Sequence, residues 1–400
     1  MWHVIGYFLF LAALSPCVNA GIVFGDQNSG IVIESGSFVV SGNLVVNAGT
    51  VEVTDSGTMT VTGSFDISNG TYIDHDQEVL TYVADATLTK DIHLSSTKRL
   101  TIAAPVDGTT VHTNTISGTG QKIFFADAAT TQMIIGDYTA VIFDAVGLAG
   151  FNPGAISLGA GSSIALHNAT LSLSKDISLT YPVSFLWGGE GYPSYLQANG
   201  NAILMSSAGA LVVPDGNQLV IEDANFENLR DSQLYALGSA TITLSNCNVD
   251  TTSAAPVTFS SGQLEIKGAV NLSGTGSLIY SSPQPLVIGQ DSSMVLNNIG
   301  MSYTGSSVIY GGSKATSKII LNDAELTIGS GSLGAVTITA ATVTMNGNSF
   351  IQGGGVIADA WTSFNFGTGD ALANNSQLFI GNGKSTLSDI VLNMNDGNIG

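Results

Sequence analysis

Residues 219–226 read Leu-Val-Ile-Glu-Asp-Ala-Asn-Phe, an apolar/polar alternation that halts at Asp223 and resumes at Phe226. Alternation at period two places Leu219 and Ile221 on one face of an extended strand. The same pattern returns at 164–171 (IALHNATL), 242–249 (ITLSNCNV), 294–301 (MVLNNIGM), 319–326 (IILNDAEL) and 343–350 (VTMNGNSF). Its corner positions are Asn168, Asp223, Asn246, Asn298, Asp323 and Gly347. All are residue types that tolerate the left-handed backbone needed for a tight bend between two strands. They are expected to stand above one another as a structural corner ladder. Counted at the second apolar position of each copy, the gaps are 55, 23, 52, 25 and 24, so the two long gaps look like skipped copies.

Working towards the N-terminus, residues 35–50 (SGSFVVSGNLVVNAGT) align without gaps on residues 56–71 (SGTMTVTGSFDISNGT), an offset of 21. Phe38/Met59, Val40/Val61, Leu44/Phe65 and Val46/Ile67 keep the apolar face, while Gly42/Gly63 and Gly49/Gly70 fall at corners. Repeats of about 21–26 residues built from short strands and tight corners describe a solenoid, each coil stacking on the one below. The expected fold is therefore all-β, a single-stranded parallel β-helix (β-solenoid). Residues 21–400 would form the rod, with an irregular loop at 182–198 (PVSFLWGGEGYPSYLQA), where Trp187, Tyr192 and Tyr195 stand among Gly and Pro. Trp361, Phe364 and Phe366 form a second aromatic cluster.

With these corners, above all in residues 213–226, the chain resembles right-handed parallel β-helix proteins, in which corner Asn residues commonly stack between coils. The leucine-rich repeat is the competing solenoid. Its Asn/Cys slot is filled here by Ala169, Ala224, Cys247, Ile299, Ala324 and Asn348, so only two of six copies fit.

Charged residues make up 10% of the 400-residue chain, with 10 Lys plus Arg against 30 Asp plus Glu and a net charge of −20. That acidity excludes sequence-independent binding to nucleic acid. Residues 4–14 (VIGYFLFLAAL) are too short to span a bilayer and precede Val18-Asn19-Ala20, with small residues where a signal peptidase cuts. Residues 1–20 are expected to be a signal peptide, leaving Cys247 as the one cysteine and no intramolecular disulfide. The spacing turns irregular over residues 75–160, and the chain stops at Asn398-Ile399-Gly400 within a Gly/Asn-rich stretch that continues the preceding pattern, so the 400 residues are expected to be the N-terminal part of a longer protein. No later segment reads as a transmembrane helix.

Chemistry-bearing residues are sparse. Asp74-His75-Asp76 reads as a polar turn, and Cys247 as a buried thiol in a small slot after a corner. Gly383-Lys384-Ser385-Thr386 imitates a phosphate loop, but Leu378 stands where the loop's first Gly belongs. Glu222, Asp223, Glu227 and Arg230 could line one face. Polygalacturonase-like enzymes would supply an Asp-Asp pair and His-Gly, and neither occurs. No catalytic residues, metal or cofactor are expected. The combination resembles the passenger regions of bacterial autotransporters and adhesins, which implies a secreted or cell-surface structural or adhesive protein. Its partner would be a host-surface or polysaccharide ligand, met through Trp187, Tyr192 and Tyr195. The second reading is an extracellular polysaccharide-binding or polysaccharide-degrading β-helix, acting through that loop or the Asp223–Arg230 face.

Overall fold

In the computed structural model, residues 109–126, 130–186, 193–251, 255–306 and 316–328 are described continuously, with short separate segments elsewhere, nearly all of them strands. The chain divides into two compact units, Met1–Ser174 and Lys175–Gly400. Both are parallel β-solenoids, and one 3-10 turn, Pro153–Ala155, is the only helical element among the described residues.

In the first unit the chain visits three strand stacks in turn. One coil runs Met133–Ile135, Thr139–Asp144, Gly147–Ala149, and the next begins at Ile156–Leu158. Every strand pairs in parallel with its counterpart one coil away, Met133 with Ile156 and Val141 with Ile164. The repeat at offset 21 is this register: Ser35 pairs with Ser56, Phe38 with Met59, Val40 with Val61 and Leu44 with Phe65. Coil length varies more than the repeat suggests. The ladder steps from Ile92 to Ile123, then to Leu148 and Leu171, so its first coil is several residues longer than the rest. Leu9–Phe10 and Cys17–Val18 pair with Gly30–Val40.

The second unit also cycles through three stacks. Its first holds Ser194–Gln197, Gln218–Glu222, Thr241–Ser245, Gln263–Lys267 and Leu286–Ile288. The second holds Asn225–Glu227, Asn248–Asp250, Ala269–Ser273, Ser293–Asn297, Ser317–Asn322 and Ala341–Asn346. Period-two alternation turns every other side chain inward. Phe226, Val249, Leu272, Leu296, Leu321 and Met345 are successive rungs of one buried column. Each such side chain contributes about 1.5–3 kcal/mol by leaving water. The third stack is interrupted. Leu234–Ala236 ends one sheet, and Val257–Phe259, one coil later, begins another.

The sequence treats 182–198 as one irregular loop, and the structure corrects its bounds. Pro182–Leu186 and Ser194–Gln197 are strands, because Val183 pairs with Leu211 and Leu196 with Ile221 at the ordinary alternation. No helix among the described residues is long and apolar enough to cross a membrane.

Candidate functional site

Five of the six corner residues adopt the left-handed backbone: Asn168, Asp223, Asn246, Asn298 and Asp323 have φ between 47° and 53°. Gly347 lies outside the described residues. They do not form one ladder, however. In the first unit Asn168 turns the chain from the second stack to the third. Asp223 and Asn246 both lead from the second unit's first stack into its second, and Asn298 and Asp323 lead from the second into the third. The gap of 52 is the reason. Two coils on from Leu244 the register partner is Ile288, by way of Ile266, and Leu296 lies a further strand along the chain.

Among the described residues several left-handed positions escaped the pattern, Asn199, Asn228 and Asp291 among them, and two more stand in register with its corners. Gly268 (φ 58°) follows Asp223 and Asn246 in register, but its next apolar residue, Val270, comes one position early. Ala145 (φ 53°) stands in register with Asn168 and is not a residue type that marks a corner. At Gly268 the need for glycine is twofold, since a Cβ would also collide with Asn246 Oδ1, which accepts from Ala269 N at 3.1 Å.

Side-chain amide ladders exist, displaced from the corners. Asn248 Nδ2 donates to Asn225 Oδ1 (2.6 Å) and Asn271 Nδ2 to Asn248 Oδ1 (2.8 Å). One residue before the next corner, Asn322 Nδ2 donates to Asn297 Oδ1 (2.7 Å) and Asn346 Nδ2 to Asn322 Oδ1 (2.8 Å).

The acidic residues fall into a related role. Oδ1 of Asp91, Asp137, Asp176, Asp215 and Asp231 accepts from the backbone N–H of Lys122, Ala160, Ala202, Ser239 and Thr258, at 2.7–2.9 Å, each one coil further on. At Asp215 the bond from the Ser239 backbone, aided by the Ser239 hydroxyl, holds the carboxyl below its ordinary pKa. The Glu222–Arg230 group disperses. Glu222 points outward and accepts from Gln197 Nε2 (3.3 Å), and Asp223 holds its corner. Glu227 is exposed on the following strand, and Arg230 is exposed beyond the next corner, where its backbone N donates to Gln233 Oε1 (2.9 Å). Among the described residues no three metal-binding side chains gather.

Trp187, Tyr192 and Trp361 lie outside the described residues, as do His75, Asp76 and residues 383–385, while Thr386 opens the strand Thr386–Leu387. Asp74, Phe364 and Phe366 lie in strands whose side chains are not described. Tyr195 sits on a strand, not a loop, half-buried and pointing outward beside Val220. Cys247 is fully buried; desolvation pushes its thiol up to about 11, as expected of an inert core thiol.

Among the described residues a cleft stands out that was invisible in the sequence. It has a volume of about 430 Å³ and lies where Leu234–Ala236 faces Val257–Phe259 without a ladder. Buried Ala236 and Phe259 line its depth; Asp231, Tyr235, Thr258 and Ser260 stand around it. In a continuous ladder Thr258 N–H would meet a backbone carbonyl, but here Asp231 Oδ1 takes it at 2.9 Å. Ser261 Oγ in turn donates to Ala236 O at 2.6 Å. Side chains that bond locally to the backbone compete with the ladder, and here they displace it.

No family model, curated protein or solved structure matches the chain.

Proposed function

We propose that this chain is a secreted or cell-surface structural and adhesive β-solenoid, exported through residues 1–20 and without catalytic activity. The observation that carries this reading is the employment of the carboxylates. Asp91, Asp137, Asp176, Asp215 and Asp231 each bind a backbone N–H of the next coil, so they hold coils together. Acid/base hydrolysis of a glycoside needs two carboxylates flanking one bond, roughly 5–9.5 Å apart. Asp231 is the only carboxylate lining the cleft between 234–236 and 257–259. That cleft favours the binding half of the alternative reading, attachment to polysaccharide, over the degrading half.

The test expresses the chain from Met1 in a bacterial host, recovers it outside the cytoplasm and sequences its N-terminus. Gly21 is the expected first residue. The recovered protein is then incubated with neutral and uronate polysaccharides. Retention on a polymer without new reducing ends or unsaturated products is the expected result. Turnover that disappears on substituting one of these aspartates would overturn the proposal, as would retention of residues 1–20.

A further inference from the structure

The interruption of the third stack leaves two strand edges facing each other in the same coil pair that is continuously laddered on its other two sides. Three features define what the opening can hold. First, it is closed at both ends: Thr258 N to Asp231 Oδ1 at 2.9 Å, and Gly262 N to Gly238 O at 3.0 Å just past the strands. Between the closures lie Phe259, Ser260 and Ser261, three residues or about 10 Å of extended chain. An extended peptide adding itself as a strand would have to run through these closures, whereas a compact group can enter from outside. Second, the volume of about 430 Å³ falls within the range of small-ligand sites, roughly 300–1,000 Å³. Third, the lining is two-sided in character. Phe259 and Ala236 give an apolar depth, the half-buried Tyr235 and the exposed Leu237 give an apolar rim, and Thr258, Ser260 and Ser261 bring hydroxyls.

Asp231 completes the chemistry. Its Oδ1 holds Thr258 N and its Oδ2 accepts from Ser232 Oγ at 3.2 Å. A carboxylate has about four acceptor sites, so two remain for hydroxyl donors. A pair of adjacent hydroxyls on a ring whose other face is apolar matches that arrangement. Asp231 and the net charge of −20 disfavour an anionic ring.

We propose that the cleft between Leu234–Ala236 and Val257–Phe259 binds a single neutral sugar unit, a chain end or branch, with Asp231 accepting its hydroxyls and Tyr235 covering its apolar face. This rests on the polysaccharide-attachment reading above and narrows it to one site and one class of unit. Because the ends are closed, an isolated methyl glycoside should bind nearly as well as the polymer that carries it.

The experiment titrates the full chain with methyl glycosides of neutral hexoses and N-acetylhexosamines, with methyl uronates and an extended-peptide library in parallel, by calorimetry and ligand-observed NMR. One neutral glycoside is expected to bind saturably at one site per chain, and the uronates at least tenfold more weakly. Asp231→Asn retains an oxygen for Thr258 N while losing the charge, and Tyr235→Ala removes the ring. Each should weaken binding about tenfold with an unchanged melting temperature for Asp231→Asn. Absence of saturable binding across the neutral panel, binding indifferent to both variants, or peptide binding that both variants abolish would overturn the proposal. If the variants still adhere to polysaccharide as the parent does, the cleft assignment fails while the adhesive reading stands; turnover of polymer would instead sink the adhesive reading itself.

Discussion

The same two coils of the second unit are laddered on one side and open on another. On the second stack, Asn225–Glu227 and Asn248–Asp250 pair in register, Phe226 lies over Val249, and the Asn225–Asn248–Asn271 amides bond from rung to rung. On the third, Leu234–Ala236 and Val257–Phe259 follow at the same chain spacing yet do not pair. Spacing and alternation are thus sufficient to place a strand, but not to join it to its neighbour. Where the outward amides reach along the stack they reinforce the ladder. Where Asp231 and Ser261 reach across to the backbone, they substitute for it and leave a cleft.

The largest test of that contrast is a pair of truncations. Phe226→Ala removes a ring from a column buried on every side and should cost about 3–5 kcal/mol in a urea-unfolding measurement. Phe259→Ala removes the same ring from beside an opening, where water enters the vacated space instead of leaving a dry void. It should cost about 1–2 kcal/mol less than Phe226→Ala. Equal losses would mean that the cleft is closed in solution and that the two sides do not differ.

Next in size is Gly268→Ala, at the corner that leads into the continuous stack. The left-handed backbone penalises a Cβ by roughly 1–2 kcal/mol, and the collision with Asn246 Oδ1 adds to it by breaking the bond to Ala269 N. About 2–3 kcal/mol of destabilisation is expected from thermal melts. A neutral outcome would show that the corner can unbend, so that the ladder and not the bend fixes the coil.

These residues also mark what could be read in advance. The coil register was legible at 35–50 on 56–71 because Phe38/Met59 and Leu44/Phe65 carry their apolar character to the same face in both copies. The left-handed corners at Asn168, Asp223, Asn246, Asn298 and Asp323 were legible because Asn or Asp ends an apolar alternation there, whereas Asn199, Asn228 and Asp291, equally left-handed, lie outside that motif. Ala145 was not legible, because alanine is not a residue type that announces a bend, although it stands in register with Asn168. The gap of 52 concealed a change of corner, since a coil is three strands long and the pattern restarts here on a different one; only the pairing of Leu244, Ile266 and Ile288 separates two coils from two coils and a strand. The cleft could not be read at all. Leu234 and Val257 have the spacing of a paired rung, and nothing in Asp231 distinguishes it from Asp215, whose bond to Ser239 leaves the corner closed.

The smallest expected effect concerns the tyrosines that begin just past the interruption. Phe259 pairs with Tyr280 and Tyr280 with Tyr303, and the two phenol rings stack at 5.2 Å with parallel planes inside the solenoid. Tyr280 Oη donates to Gln284 O at 2.9 Å, so its proton is needed where it is. Desolvation pushes Tyr280 up to about 12 and raises Tyr303 as well. Unfolded tyrosine ionises near pH 10 and cysteine near 8.5, while Cys247 is held at about 11 in the fold. The unfolded chain therefore releases these protons first, and stability must fall as pH rises. The contribution is whole at neutral pH. It starts to disappear near pH 9 through Cys247, then from about 10 through Tyr280 and Tyr303, and the fall ends once the folded groups ionise. Melting temperatures taken from pH 7 to 11 should be flat and then decline. Cys247→Ala should delay the onset, and Tyr303→Phe should reduce the slope above pH 10 without touching it below. A decline unaltered by Tyr303→Phe would mean that alkali reaches the protein through the opening beside Phe259 and not through the buried stack.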